Sequence, residues 1–88
     1  MVYKVIHSKQ AEKYLDKLPE NISAALIDWL DENIDGKDNP RMYGKPLKGK
    51  LKGFWRYRIG DYRIICDIKD KELIVLSIKI GTRGDVYK

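Results

Sequence analysis

Cysteine, histidine and long apolar runs are nearly absent from this chain, and each shortage excludes something. Cys66 is the one cysteine in 88 residues, so no internal disulfide and no cysteine-based zinc set can form, which points to a reducing compartment such as the cytoplasm. No apolar run approaches the roughly 18 residues a membrane span requires. The residues after Met1 are polar and charged rather than those of a signal peptide, so neither secretion nor membrane insertion is expected. An 88-residue chain buries roughly 60 to 65% of the surface its unfolded form exposes. One small domain over residues 1–88 follows, without room for a second lobe.

Charge is abundant and unevenly placed. The 18 Lys and Arg outnumber 13 Asp and Glu, for a formal net charge of +5. Residues 1 to 40 carry 5 basic and 8 acidic side chains, whereas residues 41 to 88 carry 13 basic and 5 acidic ones. Eight of those 13 (Arg41, Lys45, Lys48, Lys50, Lys52, Arg56, Arg58, Arg63) lie within 23 residues whose only acid is Asp61. Such a concentration suits a polyanion, of which nucleic acid is the usual one. A solvated lysine-rich loop is the plainer alternative.

Periodicity supplies the elements. Val2 to His7 reads as a strand. Ser8 is a candidate N-cap for a helix with Ala11, Tyr14, Leu15 and Leu18 on one face. Pro19 interrupts, and a second helix follows with Ile22, Ala25, Leu26, Trp29, Leu30 and Ile34 as its buried stripe and Gly36 as terminator. Glu12, Asp16, Asp28, Asp31 and Asp35 fall on the outer faces. Residues 37 to 53 lack either periodicity and read as a long basic loop. Trp55 to Ile59, Gly60-Asp61 and Tyr62 to Ile68 form a hairpin signature, and Leu73 to Ile80 a further strand. The expected fold is α+β, in the order β-α-α-β-β-β, with two antiparallel helices on one face of a twisted, mainly antiparallel sheet.

A two-residue turn fixes the hairpin register, setting Ile59 opposite Tyr62, Arg58 opposite Arg63 and Tyr57 opposite Ile64. Trp55, Tyr57, Ile59, Tyr62, Ile64 and Cys66 then face the helices, and Arg56, Arg58 and Arg63 face away. Two arginines directly across a strand pair repel by about a few tenths to 1 kcal/mol, a cost that a bound phosphate chain, or pairing with Asp67 or a tail carboxylate, would offset. Gly81 and Gly84 allow the tail to fold back over the open face, delivering Arg83 and Tyr87 beside the hairpin arginines. Tyr87 is either an apolar tether or a ring that stacks on a base.

Such a set can bind RNA or cleave it. Cleavage needs a proton acceptor for a 2′-hydroxyl, cations for charge developing on phosphorus, and a donor for the departing oxygen. With His7 as the single histidine, a two-histidine mechanism is excluded, and its position far from the arginines suits a structural role. The basic half has no acidic cluster of the kind that holds two divalent metals, so metal-independent chemistry is expected, with no metal site and no cofactor. Gly44, Gly49 and Lys50 match part of a phosphate-loop pattern, but Leu51 stands where its hydroxyl belongs. Lys45, Lys48, Lys50 and Lys52 are better read as salt-sensitive contacts to RNA backbone.

The stretch KPLKGKLKGFWRYRIGDYRII (residues 45–65), followed by IGTRGDVYK (residues 80–88), closely resembles the RelE toxins of the RelE/ParE superfamily, and the resemblance extends over nearly the whole chain. It implies a ribosome-dependent endoribonuclease that enters the A site, cuts messenger RNA by 2′-hydroxyl attack and inhibits translation. It also implies a RelB-like antitoxin as partner, with operator DNA bound only through the complex. Under this resemblance Arg63 is the phosphate-binding arginine, Arg83 stabilises or protonates the leaving group, and Tyr87 orients or activates the nucleotide. Arg56 and Arg58 stand where the prototype has lysines. Arginine does not give up its proton, so either the base is Tyr87 or a neighbouring lysine such as Lys52, or the cleavage is weaker than in the prototype. A ParE-like toxin of the same fold, acting on DNA gyrase without RNA cleavage, is the alternative.

Overall fold

The computed structural model describes residues 1–87. Its elements are β1 (Lys4–His7), α1 (Lys9–Lys17), α2 (Glu20–Asn33), β2 (Lys45–Pro46), a short 3-10 turn (Gly49–Leu51), β3 (Trp55–Ile59), β4 (Tyr62–Lys69) and β5 (Ile74–Thr82). The five strands form one sheet in the order β1-β5-β4-β3-β2. β1 runs parallel to β5, and every other pairing is antiparallel. The two helices supply the crossover that carries the chain from β1 toward the rest of the sheet.

Local chemistry explains the helix boundaries. The Ser8 hydroxyl accepts the Ala11 N–H at 3.1 Å, with Glu12 in the first turn and Lys17 in the last, each sign suited to its end of the helix dipole. Leu18, just before Pro19, is extended at ψ 154°, because a following proline disfavours helical backbone. α2 ends at Ile34, and Gly36 takes φ +75° to turn the chain out of the helix. The buried stripe of α2 is narrower than its periodicity suggests. Leu26, Leu30 and Ile34 are buried, but Ala25 faces solvent, a short side chain whose type does not fix its side.

On the helix side of the sheet, Ala11, Leu15, Leu26, Leu30 and Ile34 pack against Tyr57, Ile64, Cys66, Val75 and Ile80. The buried Tyr57 hydroxyl donates to the Pro40 carbonyl at 2.6 Å, which removes the penalty of an unpaired polar group. Burial pushes the Cys66 thiol well above its ordinary pKa. The opposite face carries a second, smaller apolar cluster in which Ile65 and Val86 are both 1% exposed.

The segment read as a loop contains a strand too short to show alternation. Lys45 pairs with Arg56 and Pro46 with Trp55, a position at the sheet edge where proline is tolerated. Gly44 brings the chain there: it holds φ +81°, and a Cβ on it would stand 2.3 Å from the Arg56 carbonyl oxygen. Asp35, expected on the solvent face of the helices, instead accepts the Val5 N–H at 2.8 Å, and Tyr3 N–H donates to the Lys37 carbonyl. These bonds cover the outer edge of β1, which would otherwise offer itself to another strand. Arg41 pairs with Asp70 at 2.9 Å, which also accepts from Tyr3, and so ties the basic segment to the β4–β5 turn. Among the described residues, no helix is long and apolar enough to cross a membrane.

Candidate functional site

The register of the β3–β4 hairpin is the one its two-residue turn dictates, with Arg58 directly opposite Arg63 and Tyr57 opposite Ile64. Tyr57 and Ile64 enter the helix-side core, so the neighbouring arginines project onto the open face. There Arg56, Arg58, Arg63, Arg83 and Tyr87 line a cavity of about 230 Å³. All five residues expected at the site converge. Among the described residues, no Asp or Glu lines this cavity.

The four guanidinium groups are held differently. Arg63 is 6% exposed and donates from Nη1 to the Gly60 and Tyr62 carbonyls at 3.0 and 3.1 Å. Those carbonyl dipoles brace it against Arg58. Asp67 turns away and pairs with Lys69 at 3.2 Å. Arg56 donates from Nη1 to the Tyr87 hydroxyl at 3.3 Å, while its Nε is buried without a partner. An unsatisfied buried donor costs about 1–3 kcal/mol. Arg58 and Arg83 are exposed.

The tail reaches the site through a tight reversal after β5. The Val86 N–H donates to the Thr82 carbonyl at 3.0 Å, the Arg83 N–H to the Asp61 carbonyl at 3.1 Å, and the Thr82 hydroxyl to Asp85 at 3.1 Å. Gly81 matters for space rather than for backbone freedom, since a Cβ there would lie 3.1 Å from the Val86 Cα. Gly84 has neither a close neighbour nor a positive φ, so the fold-back does not use it as expected. Val86 is thereby seated on the sheet as the apolar tether, leaving Tyr87 44% exposed above the arginines.

A sequence model described as "ParE toxin of type II toxin-antitoxin system, parDE" matches residues 5–87. The chain belongs to the RelE/ParE family of type II toxins. The Mycobacterium tuberculosis toxin RelG is 32% identical over 88 residues, covering 100% of this chain and 99% of that protein. Toxin RelE of the same organism is 35% identical over 86 residues, covering 98% of this chain and 87% of that one. Among solved structures, the M. tuberculosis RelBE2 toxin–antitoxin complex contains a chain that superposes with a TM-score of 0.84 at 32% identity, covering 97% of each. The archaeal RelE–RelB complex of Pyrococcus horikoshii gives 0.70 at 28%, covering 97% of this chain and 99% of that one.

Within this RelE-like fold the four loop lysines do not act alike. Lys45 lines a cavity of about 240 Å³ that shares Arg56 and Arg58 with the arginine pocket. Lys50 lines another, of about 210 Å³, that shares Tyr87. Lys48 and Lys52 are exposed beside the 3-10 turn and line neither. Three further contributors, Trp29, Tyr43 and Lys79, carry no sequence signal for the site. Lys79 is hidden by a bulge: Ile65 pairs with Lys79 but Cys66 with Ser77, so the alternation slips. His7 lies two strands away from the hairpin, its Nδ1 hydrogen-bonded to the buried Ser77 hydroxyl, in keeping with a structural role. A larger cavity, about 500 Å³, lies between α1 and the end of β5, and none of the five site residues lines it. The smaller one is the better candidate because its lining is chemically concerted. Among the described residues, no group of three or more His, Cys, Asp or Glu side chains could hold a metal ion.

Proposed function

We propose that this toxin is an endoribonuclease that inhibits translation by cutting messenger RNA in the ribosomal A site, without a metal ion in the step. The observation that carries the reading is the gathering of four guanidinium groups and one phenol around a single cavity. In the reaction the RNA 2′-oxygen forms a bond to phosphorus as the bond from phosphorus to the 5′-oxygen breaks. The 2′-hydroxyl proton passes to a base, and the departing 5′-oxygen, its charge stabilised by Arg83, takes a proton from solvent water, leaving a cyclic phosphate and a free 5′-hydroxyl. Arg63, preset by the turn carbonyls, and Arg58 opposite it grip the phosphate oxygens, where charge builds in the transition state. Arg83 on the tail faces the leaving oxygen, and Arg56 holds the Tyr87 hydroxyl in place. Four of the five lining groups retain their protons throughout the useful pH range. Proton acceptance therefore falls to Tyr87.

Lys45, Lys48, Lys50 and Lys52 serve as backbone contacts whose contribution falls as salt rises. A RelB-like antitoxin is the proposed protein partner, supported by the RelB-bound state of the structural relatives. It would present an acidic or amphipathic segment that covers Arg83 and Tyr87 or displaces the tail, and operator DNA would be bound only through that complex. Inducing the toxin in cells and mapping transcript ends tests the reading. Codon-phased cuts that Arg83→Ala and Tyr87→Phe each reduce by orders of magnitude are expected. DNA damage with intact transcripts would instead mark a ParE-like action on gyrase, and normal growth would overturn both.

A further inference from the structure

Of the nine aromatic side chains in the sequence, only Tyr43 and Tyr87 are exposed, at 41% and 44%. Both sit beside the same arginines. Tyr87 lines the arginine pocket itself, and Tyr43 lines the adjoining cavity together with Trp29, Gly44, Lys45, Arg56 and Arg58. The two cavities share Arg56 and Arg58, so they adjoin at these cations, and each has an exposed ring in its lining.

The Tyr43 end is built rather than incidental. The Tyr43 carbonyl accepts the Trp55 indole N–H at 2.7 Å, and Gly44 presses the chain so closely onto β3 that no Cβ fits. Tyr43 meets Trp29 edge to face, with centroids 5.6 Å apart and planes at 75°. Such a contact uses at most one face of the Tyr43 ring, and the residue stays 41% exposed. A large exposed ring fixed beside cationic side chains is the arrangement by which proteins hold single-stranded nucleic acid, with the base stacked and the backbone neutralised.

We propose that Tyr43, supported by Trp29, is a nucleobase-stacking subsite for the nucleotide next to the gripped phosphate. The footprint of the toxin is then a dinucleotide, with one base at Tyr87, the other at Tyr43 and the linking phosphate among the arginines. This rests on the reading of the arginine pocket as an RNA site. Stacking tolerates any base, so the subsite adds affinity and alignment and leaves base choice to other contacts.

The test is an NMR titration of the whole chain with a 2′-O-methylated RNA trinucleotide, whose blocked hydroxyl prevents cleavage, and with versions lacking one base at each position in turn. The Tyr43 ring and Trp29 indole signals should move along the same saturation curve as the Arg58 and Arg83 guanidinium signals, and loss of one particular base should abolish only the Tyr43 and Trp29 response. Tyr43→Leu should weaken the intact trinucleotide about tenfold, within the range measured for one stacked base, and should have no further effect on the version lacking that base. Tyr43→Phe, which keeps the ring, should bind as the unsubstituted chain does. If the arginine signals respond while those of Tyr43 and Trp29 stay still, the subsite is wrong and the pocket stands. If neither set responds, both readings fall together.

Discussion

Truncating Val86 to alanine should uncouple the site from the fold. Val86 is 1% exposed and lies with Ile65 outside the helix-side core, so its contacts hold the tail and little else. The substitution removes two buried methyl groups, worth about 0.8 kcal/mol each. The docked tail therefore loses about 1.6 kcal/mol of attachment, which multiplies the detached population about fifteenfold. Hydrogen exchange reads this directly. The Val86 amide, bonded to the Thr82 carbonyl at 3.0 Å, should exchange about fifteenfold faster, while amides of Leu30 and Ile64 keep their protection and RNA cleavage falls by up to the same factor. Leu30→Ala should do the opposite, costing about 2–5 kcal/mol of global stability with the tail geometry unchanged in the molecules that remain folded. Unaltered exchange at Val86, or equal loosening of tail and core amides, would refute the separation of the two apolar clusters.

Gly44→Ala should lower the urea midpoint by the equivalent of at least about 1–3 kcal/mol, because it imposes φ +81° on a side chain whose Cβ collides with the Arg56 carbonyl; an unchanged midpoint would mean that β2 is not fixed as described. Tyr57→Phe leaves the Pro40 carbonyl without its donor in a dry site and should cost about 1–3 kcal/mol by the same measurement. His7 supplies a pH dependence. Burial lowers its pKa, against the opposing pull of Glu12 and Asp31, from an ordinary value of 6.5. The unfolded chain therefore takes up this proton first on acidification, and stability should fall from about pH 6.5 down to the folded pKa and be level above. Thermal melts of His7→Gln should lack that part of the slope, whatever its baseline stability.

The hairpin and its consequences were legible because a two-residue turn leaves one register. Once Gly60-Asp61 is placed, the partners of Arg58 and the side taken by Arg56 follow from a period of two, and the structure agrees. Ser8 and Gly36 were legible for a similar reason, each having a local job that few residue types perform. Legibility failed where position depends on distant chain. β2 is two residues long and exists because β3 offers an edge, which no pattern within Lys45–Pro46 reveals. Asp35 reads as one more helix-surface acid until β1 is seen to need an acceptor for the Val5 N–H. Lys79 was lost to the bulge, and Tyr43 to a contact with Trp29 made across the fold. Gly81 was singled out correctly but for a different cause, crowding by Val86 rather than freedom of rotation.

Among the described residues β1 pairs with β5 alone, and both helices, β3 and β4 lie between them in the chain. A chain emerging during synthesis can form the β3–β4 hairpin locally, but it cannot close the sheet around β1 until β5 has been made, and pairings that distant form slowly. Closure of the sheet is therefore the late event in folding, and the arginine cavity, whose Arg83 follows β5, is assembled no earlier.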